Sequence, residues 1–101
     1  MGKLYITEFQ GTGIDSLGRE MQAAKEPSLG TQIVDFAASV QSATLNAATT
    51  LVRVHTDSTC HVTFGTNPTA TTSNRRMVSD QTEYFVVQAN SGLKIAAING
   101  A

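Results

Sequence analysis

The stretch from Thr50 to Phe64, TLVRVHTDSTCHVTF, decides the fold. Two runs rich in β-branched residues flank Asp57, Ser58 and Thr59. Written as an antiparallel hairpin with those three residues in the loop, Thr56 faces Cys60, Val54 faces Val62 and Val52 faces Phe64 on one side. The other side carries Arg53 opposite Thr63 and His55 opposite His61. One register sorts apolar from polar on both strands, and a slip of one residue destroys the sorting because side chains alternate with a period of two. Short loops of this kind are ordinary hairpin connections. The expectation is a pair of adjacent strands with a core face and a polar face.

Outward from this hairpin, short apolar runs alternate with turn chemistry. Lys3 to Phe9, KLYITEF, alternates as a short strand or an extended arm. Gly11, Gly13 and Gly18, with Asp15 and Ser16 between them, form a loop. Arg19 to Glu26, REMQAAKE, permits one or two helical turns, which Pro27 and Gly30 stop. Further strands are expected at Thr31–Phe36, Gln41–Leu45, Arg76–Ser79, Glu83–Gln88 and Leu93–Ile98, with turns at Asn46–Thr49, Ser79–Gln81 and Ala89–Gly92. The segment GTNPTATTSN after Phe64 has almost no large apolar side chain and reads as an exposed loop. About seven or eight short strands at this spacing are the pattern of a sandwich or barrel. The expected architecture is all-β: a single small antiparallel β-sandwich or jelly-roll-like barrel with an extended N-terminal arm. Residues 1–30 are expected to form the arm and loop, and residues 31–101 the sandwich domain.

Composition narrows the function classes. The chain has 101 residues, enough for one domain. A chain this size buries roughly 60–70% of its unfolded surface. Charged residues make up 15%, against ~25% in ordinary soluble domains, and small polar residues take their place. Such a surface suits contact with other protein. The net charge of -1 leaves no basic footprint for nucleic acid. No run approaches the ~18 consecutive apolar residues of a membrane span, and the N-terminus lacks the apolar stretch of a signal peptide. Synthesis and folding in the cytoplasm of the cell that expresses it are expected. The single cysteine, Cys60, excludes an internal disulfide and any zinc-type cysteine spacing.

The residues that carry chemistry do not converge. His55 and His61, opposite each other in the expected hairpin, make the sharpest metal-ligating pair, with Asp57 around the turn. A zinc site wants three or four protein ligands, and two exposed histidines on a polar face are the simpler alternative, so no metal is expected. Cys60 beside His61 fails as a nucleophile and base, because neighbours along a strand point to opposite faces. Asp57, Asp80 and Glu83 are not brought together by any motif. The reading is therefore not an enzyme, with no cofactor and no small-molecule substrate. The candidate partner contacts are Tyr5, Phe9, Arg19, Arg75 and Arg76. Tyr84 is a further interface aromatic, while Phe64 and Phe85 are assigned to the core.

The run SATLNAATTLVRVHTDSTCHVTFGTNPTATTSNRRMVSDQTEYFVV, from Ser42 to Val87, resembles small proteins encoded among the virion-structure genes of tailed bacteriophages. The elements that carry the resemblance are the NAAT turn into LVRVHTD, the cysteine strand, FGTNPTAT and the QTEYF strand. The opening KLYITEF and the loop ending EPSLGTQ are similar to that group as well. Some β-sandwich or jelly-roll proteins of these gene clusters are capsid cement, or decoration, proteins. The resemblance implies a structural virion protein on the outer capsid surface that clamps neighbouring copies of the major capsid protein. It implies association with copies of itself as a dimer or trimer, and an arm lying over neighbouring subunits. The alternatives are a neck, tail or fibre-associated virion component and a free ligand-binding β-module. The family brings no catalytic residues.

Overall fold

The two strands that the sequence places side by side lie in different sheets. In the computed structural model, which describes residues 2–14 and 20–100, the chain forms ten strands. They are β1 (Gly2–Phe9), β2 (Thr12–Ile14), β3 (Glu20–Ala24), β4 (Gly30–Phe36), β5 (Val40–Gln41), β6 (Leu51–Thr56), β7 (Cys60–Gly65), β8 (Arg75–Met77), β9 (Thr82–Val86) and β10 (Lys94–Asn99). The first sheet runs β4-β1-β6-β9 and the second β5-β10-β7-β8. All pairs are antiparallel. The all-β expectation and the sandwich are both correct: two four-stranded sheets pack face to face over one core.

The expected hairpin is a correction. β6 lies between β1 and β9, and β7 between β10 and β8, so Asp57–Thr59 carries the chain from one sheet to the other. The sorting by period two survives, because alternation looks the same whether two inward faces lie side by side or confront each other across a core. Val52, Val54 and Thr56 point inward from the first sheet, and Cys60 and Val62 point inward from the second; all five are buried. The connection is tied away from a hairpin geometry. The Asp57 carboxylate accepts the Lys3 backbone N–H at 2.7 Å, and the Ser79 hydroxyl donates to the Asp57 carbonyl at 2.9 Å. Both strands gain two ladder partners, which satisfies the backbone groups that the core would otherwise strand.

The N-terminal arm is a second correction. β1 is an inner strand, paired with β4 along Gly2–Glu8 and with β6 along Leu4–Phe9. Leu4 and Ile6 are buried among Val34, Phe36, Val52 and Val54. Gly2 packs so closely on the Phe36 ring that a Cβ there would stand 2.6 Å from it. The boundary expected at residue 30 therefore cuts through the first sheet. What leaves the sandwich is narrower: β2 and β3 pair only with each other, and the Lys25 N–H closes the base of this hairpin on the Gly11 carbonyl at 2.7 Å. The helical turn expected at 19–26 is strand over Glu20–Ala24; Arg19 lies outside the described residues.

Two more segments differ from expectation. Only Val40–Gln41 is regular strand, but the chain continues beside β10, with Ser42 N–H bonding Ile95 O at 2.7 Å and Leu45 N–H bonding Leu93 O at 2.9 Å. The Asn46–Thr49 turn is present, closed by Thr49 N–H on Asn46 O at 3.0 Å. The loop after β7 is exposed at most positions, as expected, but it folds back over the outer face of the second sheet. Gln41 donates to Asn67 and to the Pro68 carbonyl, and His61 meets the Asn74 carbonyl at 3.0 Å. Within the loop, Pro68 and Ala70 are buried.

Candidate docking face

The outer face of the first sheet is set by the residues that alternate away from the core. Register places Ile33, Tyr5, His55 and Thr82 in one row across the four strands, and Thr31, Thr7, Arg53 and Tyr84 in the next. Phe9, Leu51 and Val86 end the face on one side, and Asp35 with Lys3 on the other. Large apolar groups stand in water here: Ile33 is 62% exposed, Tyr84 56% and Val86 85%. Single exposed apolar residues are normal, and a set sharing one sheet face is a candidate interaction surface.

The centre of this face is preorganised. The Tyr5 and His55 rings lie 6.2 Å apart and tilted by 47°. His55 Nδ1 is 2.7 Å from the Thr82 hydroxyl oxygen. A groove of about 520 Å³ runs between β4 and β6, floored by Tyr5 and Thr7 with Ile33, Arg53 and His55 on its flanks. Arg53 supplies the charge at the middle, while Lys3 and Asp35 oppose each other at the corner. Exposed apolar side chains on the two edge strands flank a mixed centre of Tyr5, Thr7, Arg53 and His55.

The expected contact residues separate on inspection. Tyr5 lies on this face. Phe9, expected as an interface aromatic, is buried by the chain itself at the end of the outer face, beside Leu51, so it is covered and offers little to a partner. Arg75 and Arg76 are on the other sheet. Arg75 points inward from the edge strand β8, and its guanidinium sits 4.8 Å from the centre of the Phe85 ring, across the open side of the sandwich. Arg76 is exposed beside it. Phe85 also meets Phe64 edge-on at 5.0 Å, so both belong with the core as expected. Ile33 and Val86 were not singled out from the sequence. The signal was present in TQIVDF and EYFVV, where assigning Val34, Phe36 and Phe85 inward turns Ile33 and Val86 outward.

The chemical constellations read from the sequence do not assemble. His55 projects from the outer face of the first sheet and His61 from the outer face of the second, so the core separates them. Among the described residues no group of three or more His, Cys, Asp and Glu side chains is placed to hold a metal. Cys60 is buried inward, its thiol 3.6 Å from the Thr56 hydroxyl, while His61 points out. Burial pushes the Cys60 thiol above its ordinary value, the Thr56 hydrogen bond opposes that and Asp57 adds to it. A raised pKa keeps the thiol protonated and unreactive. Glu8, buried at one end of the core, is structural: its carboxylate accepts the Asn46 N–H at 2.6 Å, the Thr49 hydroxyl at 2.8 Å and the Gln32 amide at 3.2 Å.

Compared with known proteins, the chain matches no family model, no curated protein and no solved structure.

Proposed function

We propose that this protein is a structural component of a tailed-phage virion, a decoration protein that docks on the outer capsid surface and clamps neighbouring major capsid protein subunits. The observation that carries the reading is the bare outer face of the first sheet, with Ile33, Tyr84 and Val86 exposed around the Tyr5–His55 pair. Burying those side chains against a partner gains roughly 25 cal/mol per Å² of apolar area. A modest gain per copy becomes large when many copies act on one shell. The β2–β3 hairpin takes over the part expected of the arm, as the element that reaches a neighbouring subunit.

Copy number per purified particle, measured by quantitative mass spectrometry against the major capsid protein, tests this reading. A simple ratio to the capsid subunit is the expected result. A dozen or fewer copies per particle would move the protein to the neck or tail, and absence from the particle would overturn a virion role.

A further inference from the structure

The four outermost strands of the sandwich are not equally protected. β5 has two residues and β8 has three, two of them arginines. β4 is flanked on its free side by the chain that follows β5, to which the Gln32 side chain ties it through the Ala43 N–H at 2.9 Å and the Ala43 carbonyl at 3.4 Å. β9 has five residues and none of these devices. Its ladder with β6 runs through the odd-numbered residues, from Thr56 N–H on Gln81 O to Val87 N–H on Thr50 O. The backbone groups of Thr82, Tyr84 and Val86 therefore point to the free edge. An uncovered edge with a row of unpaired backbone groups is a template for another strand.

We infer that β9 is a self-association edge, pairing antiparallel with β9 of a second copy about a two-fold axis at Tyr84. Registers that use the outward backbone groups can centre on residue 83, 84 or 85. Centring on 83 sets Glu83 against its own copy, and like charges directly opposite destabilise a sheet. Centring on 85 leaves part of the regular strand without a partner. Centring on Tyr84 pairs Thr82 with Val86, Tyr84 with its copy and Val86 with Thr82, so every outward residue of β9 exchanges its bonds.

Charge supports the same register. Glu83 and Phe85 both face inward from β9. In this pairing the Glu83 side chain of one copy comes opposite Phe85 of the other, where the Arg75 guanidinium already lies over the ring. The two-fold creates this Glu83–Arg75 pair twice. Glu83, the only charge on β9, thus selects the register rather than blocking the edge. Side chains of Tyr84 and Val86 stay on the outer face, and the two first sheets join into one eight-stranded sheet with a doubled face. Isologous pairing of this kind closes at two copies.

The test is sedimentation of the purified full chain in solution, without capsids, from micromolar to near-millimolar concentration. It stands apart from the virion reading, which fails or holds on copy number. A concentration-dependent dimer is expected. Val86→Pro removes an N–H that points away from β6, so the monomer keeps its thermal midpoint while the dimer is lost. Glu83→Arg weakens dimerisation by about tenfold, and adding Arg75→Glu restores it, as exchanged charges do when they face each other. Hydrogen exchange at Thr82, Tyr84 and Val86 slows as the dimer forms. A chain that stays monomeric at near-millimolar concentration overturns the inference. So does a dimer unaffected by Val86→Pro, or one weakened by Glu83→Arg and not restored by the exchange.

Discussion

The outer faces of the two sheets follow the same alternation and meet opposite fates. On the second sheet, the loop between β7 and β8 folds back over its own strands, so Ala96, which points outward from β10, has no exposure. On the first sheet the chain covers only the Phe9–Leu51 end of the outer face, and the rows of Ile33 and Tyr84 stay open. Ile33 points outward from β4 in the same sense and is 62% exposed. The difference lies in connection chemistry. Gln41 and Ser39 supply side-chain bonds to Asn67, Pro68 and Ala70, and His61 meets Asn74, which fixes the loop as a roof. A face that the chain covers itself serves stability, and a face left apolar and uncovered is available to a partner.

The largest expected effect breaks that contrast from the covered side. Ala96→Glu forces a charge and extra volume beneath the roof, and should cost about 3 kcal/mol or more in denaturant unfolding. Next, Gln41→Ala removes two bonds to the roof and leaves the Pro68 carbonyl with one partner fewer, for a loss of about 1–2 kcal/mol; proteolysis within 66–74 should accelerate with it. Smaller again is deletion of residues 12–24 with Gly11 joined to Lys25, whose backbones already meet at 2.7 Å. That variant should stay folded, its thermal midpoint within about 5 °C of the parent, whereas removing residues 2–9 should abolish folding. The smallest effect comes from the bare face. Ile33→Lys should change stability by no more than about 0.5 kcal/mol, because nothing in the chain covers that side chain. A large loss there would show that the two faces are equivalent after all.

How far the sequence was legible follows from the same geometry. The strands read at Thr31–Phe36, Glu83–Gln88 and Leu93–Ile98 follow from β-forming runs between turn residues and lie within about two residues of the observed β4, β9 and β10, and the inward set Val52, Val54, Cys60 and Val62 follows from period-two alternation. Alternation is silent about partners, so a hairpin and a sheet-to-sheet crossing read alike through TLVRVHTDSTCHVTF. The tie between Asp57 and Lys3 spans most of the distance back to the N-terminus, and no local pattern announces it. The short strand KLYITEF looked detachable because glycines follow it, yet it is the centre of the first sheet. REMQAAKE has helix-permitting composition, and pairing with Thr12–Ile14 overrides that weak preference. Of the candidate contacts, Tyr5 was reachable from exposure patterns. Phe9 was not, because its burial depends on what packs at the end of the sheet.

The central claim is that the bare face of the first sheet is where this protein meets its partner. The most direct measurement is occupancy of capsids that lack the protein, after adding the purified full chain, read by quantitative mass spectrometry. Ile33→Lys tests the bare face and Ser73→Lys, on the exposed roof, serves as its counterpart. The account predicts that Ile33→Lys lowers occupancy about tenfold at subsaturating concentration, the loss of one apolar contact, while Ser73→Lys binds as the parent does. Full occupancy by Ile33→Lys together with loss of binding by Ser73→Lys would contradict it and assign the contact to the roofed sheet.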